Sequence, residues 1–84
     1  VLEFARNYGM EITPEQCRAA RALLKMKQTE LAKAAGVGVS TVTNFELGTK
    51  PVSPEMVRAI RIALEVKGIV FGNGGAHFSK RRPK

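Results

Sequence analysis

The 84-residue sequence predicts an all-α fold, a compact domain of four to five short helices closed by a short C-terminal strand or hairpin. Three observations predict it. Apolar residues between Cys17 and Leu64 recur at helical spacing. The runs are bounded by residues that start and stop helices: Thr13-Pro14 and Ser53-Pro54 at two beginnings, and Gly36, Gly48 and Gly68 at three ends. A chain of this length supports one modest core, and with Cys17 as its one cysteine it has no internal disulfide to stand in for helix packing.

The stretch "TPEQ" reads as a helix start of the capping-box kind, with Thr13 as cap and Gln16 three residues on. In the helix that follows, Cys17, Ala20, Leu23 and Leu24 share the inner face, Arg18, Arg21 and Lys25 take the rest, and the end falls near Lys25 or Met26. A second helix runs from Gln28 to Ala35 with Leu31, Ala32 and Ala35 inward, and Gly36 stops it. The third runs from Val39 to Leu47 with Val42 and Phe45 inward, leaving Ser40, Thr41, Thr43 and Asn44 for solvent or a ligand. Gly48 ends it. The fourth spans Pro54 to Lys67 on a stripe of Val57, Ile60 and Leu64, joined by Met56 and Ala63, and Gly68 closes it. Two apolar runs, Ile69 to Phe71 and Ala76 to Phe78, then flank Gly72-Asn73-Gly74-Gly75, a sequence suited to a hairpin. A two-stranded hairpin is marginal alone, so this segment either rests on a partner surface, such as its counterpart in a second subunit, or forms a loose tail.

Charge and composition narrow the function. Fourteen Lys and Arg against seven Glu and no Asp leave +7, which favours a polyanionic partner, nucleic acid first. Lys80, Arg81, Arg82 and Lys84 supply +4 of this, so the body carries the remaining +3. Cys17 reads as a small buried apolar residue in a protein of a reducing compartment. His77 stands alone, without a metal-ligating neighbour. No apolar run approaches the roughly eighteen residues of a membrane span, and Val1 to Met10 lacks the pattern of a signal peptide. "GVGVS" has neither the spacing nor the lysine of a phosphate-binding loop, and the scattered Glu residues form no nucleophile and base pair with one His and one Cys. The expectation is a cytoplasmic, nucleoid-associated protein that is not an enzyme and uses no cofactor, metal, membrane or small-molecule ligand.

Within "QTELAKAAGVGVSTVTNFELG", two short amphipathic runs are broken by Gly-Val-Gly. Such helices meet at a steep angle only if a small residue stands where they cross and the turn residue can take positive φ, demands met by Ala32 and Gly36. Leu31, Ala35, Val37, Val42 and Phe45 seal the angle, and the outer face of the third helix is presented to whatever binds.

These residues resemble a family. Gln28, Leu31-Ala32, Gly36-Val37, Val42 and Phe45-Glu46-x-Gly48 are similar to the helix-turn-helix of phage repressor and Cro-like regulators, the xenobiotic-response-element family, over about Thr13 to Lys67. The resemblance implies a lambda-repressor-like helix-turn-helix domain that binds double-stranded DNA. It implies base contacts by Val39, Ser40, Thr43 and Asn44, with Thr41 and Thr43 each either beside the base edges or on phosphate. It implies phosphate contacts by Lys27, Gln28, Thr41, Thr49 and Lys50, those of Gln28 through its side chain and the helix N-terminus. It also implies a salt bridge from Arg21 to Glu46. Lys27 and Gly38 stand where family members usually carry a Ser or Thr cap, so both helix starts gain less capping. Val39 stands where Gln or Arg is frequent and offers only apolar contact, as to a thymine methyl. Asn44 is the best reader of adenine by chemistry.

One such helix reads few base pairs, so useful specificity calls for two copies on an inverted repeat. The apolar segment left outside the core places the homodimer interface at the end of the fourth helix with Ile69, Val70, Phe71 and Phe78. Leu2, Phe4 and Tyr8 either add to it or belong to a flexible leader. The expected organisation is a leader over 1–12, a DNA-binding domain over 13–68, and a strand-like dimerisation segment with a basic tail over 69–84. The expected function is a dimeric, sequence-specific transcriptional regulator of a bacterium, phage or mobile element, autoregulatory in the manner of controller or Cro-like proteins. The rival is an antitoxin or antiactivator that uses the same fold to hold a protein partner.

Overall fold

A computed structural model of the chain describes residues 12–72 and 74–79. The expectations for the leader residues Leu2, Phe4 and Tyr8 and for the basic stretch at 80–84 lie outside the described residues. Four helices, α1 (Pro14–Leu24), α2 (Gln28–Ala35), α3 (Val39–Leu47) and α4 (Pro54–Val66), are followed by an antiparallel hairpin of β1 (Ile69–Gly72) and β2 (Gly75–Phe78).

Local chemistry sets most of these limits. At the start of α1 the Gln16 backbone N–H donates to the Thr13 hydroxyl at 3.1 Å and the Thr13 N–H donates back to the Gln16 side-chain oxygen at 2.8 Å. Two donors that a helix end leaves orphaned are thereby satisfied. α1 ends without a glycine: Lys25 takes a left-handed conformation at φ 56, while the Met26 N–H reaches the Arg21 carbonyl at 2.9 Å. The same closure ends α2, where Gly36 sits at φ 74 and the Val37 N–H reaches the Ala32 carbonyl at 3.0 Å. At the start of α2, where Lys27 has no capping oxygen, the Glu30 carboxylate accepts the Lys27 backbone N–H at 2.8 Å.

The core joins all the elements. Cys17 and Ala20 from α1, Leu31 and Ala32 from α2, Val42 and Phe45 from α3, and Val57, Ile60, Ala63 and Leu64 from α4 are buried together. Ile12, expected in the leader, is 1% exposed and belongs to this core. Two residues expected inward lie outward: Leu23 is 39% and Met56 42% exposed. Leu23 is six residues from Cys17, which at 3.6 residues per turn rotates it off the buried face that Ala20 shares.

The hairpin pairs Ile69 with Phe78, Val70 with His77, Phe71 with Ala76 and Gly72 with Gly75. The surface it needs comes from its own chain. Gln16 donates its side-chain N–H to the Gly75 carbonyl at 3.1 Å, the Ser79 N–H returns to the Gly68 carbonyl at 2.7 Å, and Ile69 is buried. Phe71, Ala76 and Phe78 pack against the same core. Alternation along β1 turns Val70 the other way, 40% exposed.

Candidate nucleic-acid interface

The α2-turn-α3 unit is sealed from inside by Leu31, Ala32, Val42 and Phe45, with Ala35 and Val37 half-buried beside them. The opposite side of α3 shows Val39 and Ser40 exposed, Thr41 and Asn44 half-exposed, and Leu47 67% exposed; Thr49 and Lys50 follow, exposed, in the next loop. Lys27 is exposed at the start of α2. These residues share one continuous polar run across two helix starts and one loop, interrupted only by Val39 and Leu47.

A buried polar cluster holds α3 against α1 from behind. Glu46 is 3% exposed, and its carboxylate accepts from Arg21 Nε at 2.7 Å and Arg21 Nη2 at 2.8 Å, from Gln28 Nε2 at 3.0 Å, and from the Cys17 thiol at 3.1 Å. Arg18 donates to the Glu46 backbone carbonyl, and Arg21 Nη1 to the Met26 carbonyl at 2.9 Å. Burial by itself would raise the Glu46 pKa, but the donors on Arg21, Gln28 and Cys17 more than reverse this and hold the carboxyl below its ordinary value. The same bond to Glu46 raises Arg21. Cys17 moves far upward, first from burial and then from the neighbouring carboxylate, so its thiol stays protonated and serves as a donor.

Several of the expected site residues have hydrogen-bond partners within the chain. Gln28 was expected on phosphate through its side chain and the helix N-terminus; in the structure its amide donates to Glu46 Oε1 at 3.0 Å and accepts from the Thr43 hydroxyl at 2.9 Å. Thr43, expected at base edges, spends its hydroxyl proton on Gln28. Thr49, expected on phosphate, donates its hydroxyl to Asn44 Oδ1 at 3.0 Å and braces that side chain across the helix end. Ser40, Thr41, Val39, Lys27 and Lys50 stand exposed or half-exposed as described. In the expected dimer segment, Ile69 is 2% exposed and Phe71 and Phe78 pack on their own core, so of the four residues Val70 alone presents a largely open side chain.

The sequence reading missed Arg18 and the thiol of Cys17 as parts of the cluster. Arg18 precedes Arg21 by three residues, which places both on one side of α1, and that spacing was a usable signal. Nothing local marks a cysteine as a donor to a carboxylate 29 residues away. Among the described residues no group of His, Cys, Asp and Glu could hold a metal ion, and no helix is long and apolar enough to cross a membrane.

A family model described as helix-turn-helix, of the Cro/C1 type, matches residues 18–70. The match takes in α2, the turn, α3 and α4 whole. No curated protein matches the chain.

Proposed function

The chain belongs to the Cro/C1-type helix-turn-helix family of DNA-binding transcription regulators, and from that premise we propose that it binds an inverted-repeat operator as a homodimer and controls its own promoter. The observation that carries this reading is the division of α3 into two faces. One face is clamped to α1 through Glu46, and the other leaves Ser40, Thr41 and Asn44 open. A helix fixed so firmly behind and left polar in front suits insertion into the major groove.

In this reading Ser40 and Asn44 read base edges and Val39 touches a thymine methyl. Lys27, Thr41, Lys50 and the first-turn backbone N–H groups of α2 hold the phosphates that set the register. Thr43 and Gln28 act from behind, by keeping α2 and α3 in fixed relation. The dimer forms over the outward side of the hairpin around Val70. Work on chromosomal DNA puts the protein in the cytoplasm, at the nucleoid. The test is footprinting on the DNA upstream of its own gene. Protection of an inverted repeat with half-site centres about 34 to 36 Å apart supports the reading, and protection indifferent to sequence overturns it.

A further inference from the structure

A trough runs between the end of α1, α2 and the end of α4. Two neighbouring hollows of about 420 and 410 Å³ have Ala34 and Lys67 in common. Leu24, Met26 and Ala34 floor one part, and Ile62 and Val66, 46% and 72% exposed, extend the apolar surface along α4. Lys25, Lys33 and Lys67 stand around it. The carboxylate there, Glu30, already accepts the Lys27 backbone N–H. No residue of α3 lines either hollow.

We propose that this trough docks an amphipathic acidic helix of a partner protein. Its apolar side lies on Leu24, Ala34, Ile62 and Val66, and its carboxylates meet Lys25, Lys33 and Lys67. An apolar floor with a rim of three lysines against one carboxylate is the surface that a helix with an apolar stripe and acidic flanks complements. A second copy of the chain fits less well, because a two-fold contact sets the lysines against their own equivalents and like charges oppose it. Nucleic acid fits less well too, since Leu24, Ile62 and Val66 offer phosphates no donors. Because no residue of α3 lines the trough, a helix seated there leaves the exposed face of α3 open to DNA, and a DNA-binding regulator acquires an input from a protein.

The probe is a fluorescein-labelled peptide of roughly eighteen residues, about five helical turns, with Leu at i, i+3, i+4 and i+7 and Glu at the remaining positions. Its anisotropy is followed against the full chain, with and without bound duplex, and backbone amide shifts map the contact. The expected result is binding whose shifts cluster at residues 24–26, 33–35 and 62–67, with no displacement by DNA. The double variant Lys33→Glu with Lys67→Glu, checked for an unchanged melting profile, weakens the peptide by about tenfold, as two exposed attractions become repulsions. Ile62→Gln weakens it as well. Equal binding of a peptide with the same composition and scrambled order, displacement by duplex, or shifts centred on α3 would each overturn the proposal. Concentration-dependent self-association that Ile62→Gln abolishes would also overturn it, by showing that a second copy fills the trough.

Discussion

The Arg21 guanidinium grips the Glu46 carboxylate through two of its nitrogens, at 2.7 and 2.8 Å, and so fastens α1 to α3 behind the exposed face of the helix-turn-helix. Glu46 is buried and Arg21 nearly so, which makes either partner costly to leave alone. A double-mutant cycle with Arg21→Met and Glu46→Gln, read by urea unfolding, should show a coupling of about 0.5 to 3 kcal/mol. Simple additivity would mean that solvent replaces the pair at no cost.

Acid should loosen this clamp. A carboxyl whose folded pKa is lowered contributes stability that is fully present above its unfolded value, about 4.3 for glutamate, and is lost as pH falls through the folded value. Unfolding free energy should therefore fall more steeply below about pH 4.3 in the parent chain than in Glu46→Gln, whose side chain does not titrate. Parallel curves would show that Glu46 titrates alike in the folded and unfolded states.

Lys25 closes α1 at φ 56, a conformation that costs a residue with a Cβ about 1 kcal/mol or more. Lys25→Gly should raise stability by roughly 0.5 to 1 kcal/mol, after allowance for the freer unfolded chain. Thermal melting checks this. A lower midpoint would indicate that the lysine side chain makes a compensating contact.

Operator binding should separate reading from holding. Asn44→Ala should cost about 1 to 3 kcal/mol on the cognate site and far less on random DNA. Thr49→Val, which removes the brace on Asn44, should shift base preference in the same direction by a smaller amount. Lys50→Ala should weaken all sequences alike and reduce the slope of log affinity against log salt by about 0.9. Equal losses on cognate and random DNA for Asn44→Ala would move that residue to the backbone contacts.

Val70 is the outward residue of β1, so Val70→Asp tests the dimer without opening the core, as a charge at Phe71 would do. Sedimentation should shift from dimer to monomer and operator affinity should fall. Separating the half-sites by five base pairs, about half a turn, should abolish cooperative binding by a rigid dimer. An unchanged sedimentation profile places the interface elsewhere.

The limits of the four helices were legible because they are set locally. Thr13 with Gln16, Gly36, Gly48 and Ser53 with Pro54 each satisfy or terminate a helix end through neighbours within a few residues. The spacing of Leu31, Val42, Phe45, Ile60 and Leu64 likewise announced a buried face, because 3.6-residue periodicity is written in the order of the residues. The exposed polar face of α3 followed from the same periodicity; the net charge of +7 favoured a polyanion, and the resemblance of Gln28 through Gly48 to helix-turn-helix regulators is what narrowed it to double-stranded DNA.

What only the tertiary structure decided depends on residues far apart in sequence. Gln28 and Thr43 were expected at the DNA from the family resemblance; their bond to one another, and Gln28's bond to Glu46, exist only once α2 and α3 have crossed. Cys17 looked merely apolar until α3 brought a carboxylate to its thiol. The hairpin's apolar side looked available to a second subunit, yet Ile69 lies in the chain's own core and Gln16 reaches Gly75 across 59 residues. Periodicity tells which side of a helix or strand is buried. Which surface covers it is a matter of topology, and a polar side chain's partner is chosen only when folding brings distant groups within the roughly 3 Å of a hydrogen bond.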